Sequence, residues 1–321
     1  MSLIAWIVAP AWIVSGVVIY QLYSKSRAIT GEHEIVVLEE EKIQPPQGTR
    51  VMVSVANPRN ALQLVRNTYK VCDAKNAHVE LLHMVPVPDQ VPLADAEKYM
   101  SAGREGIMEA MLYLENFFTI STTLRYCRNI ARGIVSAVRQ KKVDMLILGW
   151  HGRPRHQLFS LGSTIDPIIE RSPCNVVIFK DCGDKDFKNV LVPIGGGRNS
   201  LFAMEIASIL VDKDVGEMTA LSIDTGKHLF DAEEFVKTNL DMFHIPPQRI
   251  HVKTVENHHV ADAIINEADE YDLVVLGTTR ESMIYQISHQ TVPERVAREC
   301  DKPLVVVKAS GGIRSWIKRW F

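Results

Sequence analysis

Gly149-Trp150-His151-Gly152 and, nine residues further on, Gly162-Ser163-Thr164 are the residues of this chain whose types and spacing point most directly to chemistry. Glycines let a backbone come close to a ligand, and hydroxyls beside the free N–H groups of a helix start favour an anion such as phosphate. The pattern Gly-x2-Gly-x9-Gly-Ser is neither the P-loop nor the dinucleotide fingerprint. Arg153, Arg155 and His156 lie between the glycines, either to screen a polyphosphate or as solvated loop charges. Trp150 either lies over a base or caps a sheet edge, and His151 has no apparent catalytic partner. The alternative is a long surface loop whose glycines only serve turns.

Two elements must hold that loop. Before it, Asp144-Met-Leu-Ile-Leu148 reads as a buried parallel strand; after it, Ile165-Asp-Pro-Ile-Ile-Glu170 reads as a helix. A glycine-bearing loop between a strand's carboxyl end and a helix start is where an open α/β sheet binds its ligand.

The rest of the chain repeats this alternation. Val51–Val55, His78–Met84, Leu124–Cys127, Asp144–Leu148 and Asn175–Phe179 read as strands. Helical patterns separate them over Pro58–Lys75, Ala94–Phe117 and Ile130–Lys141, the first with Leu62, Val65, Tyr69 and Cys72 on one face. The order then returns: Val190–Ile194, Met218–Ile223, His251–Val255, Asp272–Gly277 (a copy of Asp144–Gly149) and Leu304–Val307. A duplication of this length is a far more specific signal than any single motif. Right-handed crossovers predict an α/β fold of two five-stranded parallel sheets with helices on both faces.

With this loop and this duplication the chain resembles the universal stress protein family over 48–181 and 186–309, the first copy matching its ATP-binding branch. The resemblance implies that Gly149, Gly152, Gly162, Ser163 and Thr164 bind the phosphates and ribose of ATP or another adenine nucleotide, with Arg153 beside them. It implies that Met84 contacts adenine through its backbone. The end of the first strand, Ser54-Val55-Ala56-Asn57, departs from the family: Ala56 stands where that branch has an aspartate. A polar anchor and a carboxylate ligand for Mg²⁺ are thereby removed, with Asn57 the substitute at hand. The resemblance also implies pairing of the two final strands within the chain, as the family pairs them between subunits, and a homo-oligomer is a further expectation.

The second copy reads as altered. Arg280 replaces the second glycine and Gln290-Thr291 replace Gly-Ser, so side chains stand at both points of close approach. Gly195-Gly196-Gly197 opens a helix there, either as an anion nest or as a tight turn.

The amino-terminal stretch Leu3–Tyr23 carries no charge and at a helical rise is about 30 Å long, enough to span a bilayer. Trp6, Tyr20 and Tyr23 sit towards its ends, and Lys25 and Arg27 follow. The positive-inside rule then predicts residues 1–24 as one span of the cell membrane, amino end outside and the rest cytoplasmic. A secretory signal and a buried core helix are the alternatives. The segment is similar to the last helix of an APC-type amino-acid permease, and one span alone makes no transport path. Residues 25–47 read as a cytoplasmic linker whose patch Ile35–Leu38 either docks or stays solvated. Residues 310–321 read as a basic aromatic tail; Ile313, Trp316, Ile317 and Trp320 share a helical face suited to membrane lipid. A disordered or packed tail is the alternative.

A formal net charge of −2 argues against nucleic acid as a partner. The five cysteines have no metal spacing and read as core residues rather than disulfides. No nucleophile–base pair or acid–base constellation signals catalysis. The sequence thus predicts a membrane-anchored regulator that binds a nucleotide and acts on a membrane partner, with a transporter foremost. A nucleotide-free accessory subunit and a slow ATPase are the alternatives.

Overall fold

A computed structural model describes residues 12, 35–40, 48–55, 58–88, 90–91, 108, 112, 120–150, 164–183, 186–226, 230–278 and 291–311. The first unit contains strands β2 (Thr49–Ser54), β3 (Ala77–Pro86), β4 (Ile120–Cys127), β5 (Met145–Trp150) and β6 (Asn175–Lys180). Its helices are α1 (Pro58–Ala74), α2 (Ile130–Lys141) and α3 (Ile165–Arg171). The second unit contains β7 (Asn189–Ile194), β8 (Glu217–Asp224), β9 (Ile250–Glu256), β10 (Leu273–Gly277) and β11 (Leu304–Lys308). Its helices are α4 (Gly197–Leu210), α5 (Ala232–Thr238), α6 (Val260–Ala268) and α7 (Val292–Glu299).

The two five-stranded sheets join into one. All strands among the described residues join an 11-stranded mixed sheet in the order β1-β4-β3-β2-β5-β6-β11-β10-β7-β8-β9. Within each unit the pairing is parallel, and the final strands β6 and β11 pair antiparallel, as the resemblance implied. Ile178 faces Val306 at the middle of this seam, with Lys180 opposite Leu304 and Val176 opposite Lys308. The seam is therefore a local two-fold. Lys180 Nζ donates to the Ala297 carbonyl at the end of α7 (2.8 Å), and Lys308 Nζ donates to the Ser172 carbonyl at the end of α3 (2.6 Å). Each lysine satisfies a helix carboxyl end of the other unit, where a cation is favoured. Pairing the two strands removes two open edges, and that is why the sheets fuse.

The linker expected over 25–47 also contributes a strand, β1 (Ile35–Glu40), antiparallel to β4 with a shift of register between Val37 and Glu39. β4 would otherwise be an exposed edge with little charge. β4 itself begins at Ile120, earlier than expected, because its polar start is satisfied inside the fold. Thr123 Oγ1 donates to Glu80 Oε1 (2.7 Å), which Lys141 Nζ also approaches (3.1 Å).

Strands buried on both faces need two layers of helices. One core runs from Val51, Val53 and Leu81 through Ile206 and Val305 beneath α1, α4 and α5. The other runs from Met52, Leu82 and Leu146 through Ile178 and Val306 beneath α2, α3, α6 and α7. Both cores cross the seam. Near it, α1 is tied to the second unit by Asn67 Nδ2 donating to the Gly183 carbonyl (2.9 Å) and by the ion pairs Lys70–Asp186 and Lys75–Glu205.

Among the described residues no helix is long and apolar enough to cross a membrane. The span expected over Leu3–Tyr23 lies outside them except for Trp12, which is helical and exposed. The basic aromatic tail lies outside them from Gly312 onward. Of the helix expected over Ala94–Phe117 they include Met108 and Leu112, both helical and exposed.

Candidate functional site

Strand order reverses between β2 and β5, because β3 and β4 lie on one side of β2 while β5 and β6 lie on the other. The carboxyl ends of β2 and β5 therefore flank a crevice at a topological switch point. Leu148 pairs with Ser54, which is buried at the end of β2. Gly149 follows on β5. A Cβ built there would meet the Leu64 methyls at 3.6 and 3.7 Å, an ordinary contact. Gly149 also lacks a positive φ, so neither its conformation nor this neighbour demands glycine. Thr164 is the N-cap of α3, and its side chain makes no capping bond. Ala56, Asn57, Gly152, Arg153, Gly162 and Ser163 lie outside the described residues, as do Arg155 and His156.

Met84 is not at the end of its strand, as expected, but two residues inside it. Its backbone nonetheless faces the crevice. The Val55 N–H donates to the Leu82 carbonyl (2.9 Å), so Leu82 turns its backbone groups to β2. In a parallel strand alternate residues face the same neighbour, so Met84 faces that side too. Val85 and Val87 face β4, the latter with its N–H on the Cys127 carbonyl (3.0 Å). The Met84 side chain packs on α2, where a Cβ at Gly133 would lie 3.0 Å from Cε.

Beside it stands His83, which sequence reasoning placed in the strand and gave no role. It is buried, and its Nδ1 lies 2.6 Å from the Val55 carbonyl, where it must donate. Burial holds its pKa below the ordinary histidine value, and the bond to Val55 opposes that shift only in part. The one signal in the sequence is a histidine near the end of an otherwise apolar strand.

The equivalent crevice of the second unit, between β7 and β10, is filled from within. Gly277 corresponds to Gly149, but a Cβ there would fall 2.9 Å from the Asn199 carbonyl carbon and oxygen. The first turn of α4 lies on the end of β10, and only glycine permits that approach. Asn199 Nδ2 donates to the Thr278 carbonyl (2.5 Å), and Asn199 Oδ1 accepts from the Ala309 N–H (2.9 Å). One side chain thus bridges the ends of β10 and β11. Of the three glycines, Gly195 donates its N–H to Ser200 Oγ (3.2 Å) and Gly196 is packed by Phe230, while Gly197 has open space beside it. Thr291, at the position of Ser163, caps α7 in a capping box with Glu294, whose carboxylate accepts from the Thr291 N–H (2.9 Å). That helix start already carries its own anion. Arg280 and Gln290 lie outside the described residues.

Several sequence features prove structural. Asp144 Oδ2 accepts from the Arg50 N–H (3.0 Å), and the equivalent Asp272 Oδ2 accepts from the Lys188 and Asn189 N–H groups (both 3.0 Å). The five cysteines are buried free thiols; burial pushes Cys72 and Cys182 up to about 12, and Cys127 and Cys174 up to about 11. Trp150 lies at the seam, with the Lys180 ammonium 5.6 Å from its ring centre. Among the described residues no group of three or more His, Cys, Asp or Glu side chains could hold a metal ion.

The universal stress protein family model matches residues 48–180 and again 186–308, most of the chain, and the chain belongs to that family. Its fold is similar to that of a universal stress protein from Archaeoglobus fulgidus, with TM-score 0.62 and 16% identity over 81% of this chain and 96% of that one. A universal stress protein from Pseudomonas aeruginosa gives TM-score 0.54 and 14% identity over 82% and 94%. In sequence, 191 residues are 24% identical to the Na⁺/H⁺ antiporter NhaS5 of Synechocystis, over 57% of this chain. The match spans 27% of the antiporter's length.

Proposed function

We propose that this chain is a membrane-anchored tandem universal stress protein that binds ATP or another adenine nucleotide in its first unit and regulates a membrane-embedded transporter. The observation that carries the nucleotide reading is the contrast between the two crevices. The first offers Met84 backbone groups on the β2 side beyond the last rung of that ladder, a glycine that packing does not require, and a threonine hydroxyl unused by its helix. The second spends its equivalents on itself. Gly149, Gly152, Gly162, Ser163 and Thr164 would hold the phosphates and ribose, with Arg153 opposing their charge. Ser54, Ala56 and Asn57 would border the nucleotide at the end of β2. Mg²⁺ would come with the polyphosphate.

The nucleotide is a signal rather than a fuel. Its occupancy biases the contact with the partner, since a ligand shifts an equilibrium by its differential affinity for the two states. The match to part of an antiporter supports a transporter as that partner, and the uncharged stretch Leu3–Tyr23 supports attachment to the membrane. The test is isothermal titration of the full chain in detergent with Mg-ATP, ADP, AMP and cyclic AMP, with Gly152→Arg as control. Binding that is lost in the control supports the proposal; equal binding by both proteins, or none by either, overturns it. Phosphate release over hours would turn the sensor into a slow ATPase. Recovery of the protein in the soluble fraction of lysed cells would sink the anchor.

Ala56 favours a second reading, a nucleotide-free accessory subunit, because it replaces the carboxylate of the ATP-binding branch. That reading predicts no binding and stable association with a membrane complex.

A further inference from the structure

We infer that His83 is a positioning residue: by occupying the Val55 carbonyl, its ring frees the backbone of Met84 to read the base of the nucleotide. This rests on the adenine-nucleotide reading above.

The β2–β3 ladder runs as a parallel pair to Ser54 opposite Leu82, and one rung further to the Val55 N–H on the Leu82 carbonyl. In regular parallel geometry the next rung would be the Met84 N–H on the Val55 carbonyl. That bond is not made. The Val55 carbonyl instead accepts from His83 Nδ1 at 2.6 Å. The ladder therefore stops one rung early, and what stops it is the side chain of the residue preceding Met84. Because the acceptor is a carbonyl, Nδ1 must carry the proton, which fixes the tautomer. Both the neutral and the charged ring can donate there, so the contact survives a change of pH.

The strand is held at this point from both faces. His83 reaches the end of β2, and Met84 buries its side chain against Gly133 of α2. Between them the Met84 N–H and C=O lie on the β2 side of the strand, one step beyond the last rung made with β2. A donor and an acceptor side by side match adenine, whose Watson–Crick edge presents the N1 acceptor and the N6 amino donor. In the same pose guanine would set its N1–H donor against the Met84 N–H and its O6 acceptor against the Met84 carbonyl. Unmatched polar groups in a closed site discriminate strongly. The recognised class is thus an adenine nucleotide in preference to a guanine one.

The test is amide hydrogen exchange at Met84 in the full chain without nucleotide, together with ATP and GTP affinities, for wild type, His83→Ala, His83→Asn and His83→Gln. The asparagine amide can donate from the place of Nδ1; the glutamine amide reaches the place of Nε2 instead. In wild type and His83→Asn, Met84 is expected to exchange faster than Leu82. In His83→Ala and His83→Gln, its N–H is expected to close on Val55, gain protection about tenfold, and weaken ATP about tenfold with GTP unchanged. If the alanine variant does not fold, the asparagine and glutamine variants decide the matter. A Met84 amide as protected as Leu82 in wild type, with ATP still bound, overturns the role of His83 and leaves the proposed function standing. Fast exchange at Met84 with no nucleotide bound overturns base reading and the proposed function together, leaving only the early end of the ladder.

Discussion

Gly149 and Gly277 hold equivalent positions in β5 and β10, yet they are packed differently. Gly277 is packed so closely by the Asn199 backbone that a side chain cannot enter, whereas Gly149 touches only the Leu64 methyls at ordinary distance. The same division holds at the helix starts. The Thr291 N–H is held by the Glu294 carboxylate, while the corresponding position of α3 is Pro167, which has no side-chain group to accept such a bond. One copy of the duplicated fold commits these positions to its own packing and capping, and the other does not. The same residue type in the two copies therefore says little about function until its neighbours are known.

The largest effect should come from attacking what the two units share. Ile178→Asp would bury an unpaired carboxylate in the seam, where the side chain is 1% exposed. It should cost more than about 4 kcal/mol and split unfolding into separate transitions in a denaturant titration. Next come the paired glycines. Gly277→Ala should destabilise the second unit by about 1–3 kcal/mol through overpacking. Gly149→Ala should change the denaturant midpoint by less than about 0.5 kcal/mol while lowering ATP affinity. Equal stability losses in the two variants would mean that packing demands glycine at both positions.

Asn199→Ala removes the bridge between β10 and β11 and should lower stability by about 1–3 kcal/mol, measured by chemical denaturation. It should not create a nucleotide site, because Glu294 still occupies the start of α7. The caps come next. Thr291→Ala should cost about 1 kcal/mol, whereas Thr164→Ala should leave thermal stability unchanged and weaken nucleotide binding.

The smallest effect is that of pH on His83. Its pKa is lowered in the folded protein from the ordinary 6.5, so below that value the unfolded chain binds a proton that the native protein resists. Stability should fall as pH drops from about 7.5 to about 5.5, and His83→Asn should show a smaller fall in the denaturant midpoint.

Much of this fold is legible in the residues themselves. Runs such as Met145–Leu148 and Leu273–Leu276 are apolar throughout because both sheet faces are covered, and their repetition gives the duplication directly. β1 was ambiguous because Ile35–Leu38 is too short to tell a docked strand from a sticky tether. β4 was read short because Ser121, Thr122 and Thr123 look like loop until Glu80 and His78 are placed beside them. Gly149 and Thr164 could be singled out from spacing alone. His83 could not, since its partner Val55 lies 28 positions away.

The sequence by itself determined the α/β alternation, the two copies and the loss of glycines from the second loop. Each follows from local periodicity or direct comparison of the copies. Only the tertiary structure decided that the two sheets become one, that Asn199 seals the second crevice, and that the Met84 backbone is left facing the first. Those outcomes depend on which backbone groups find partners across strands, and a hydrogen bond left unmade is invisible until the register of both strands is fixed.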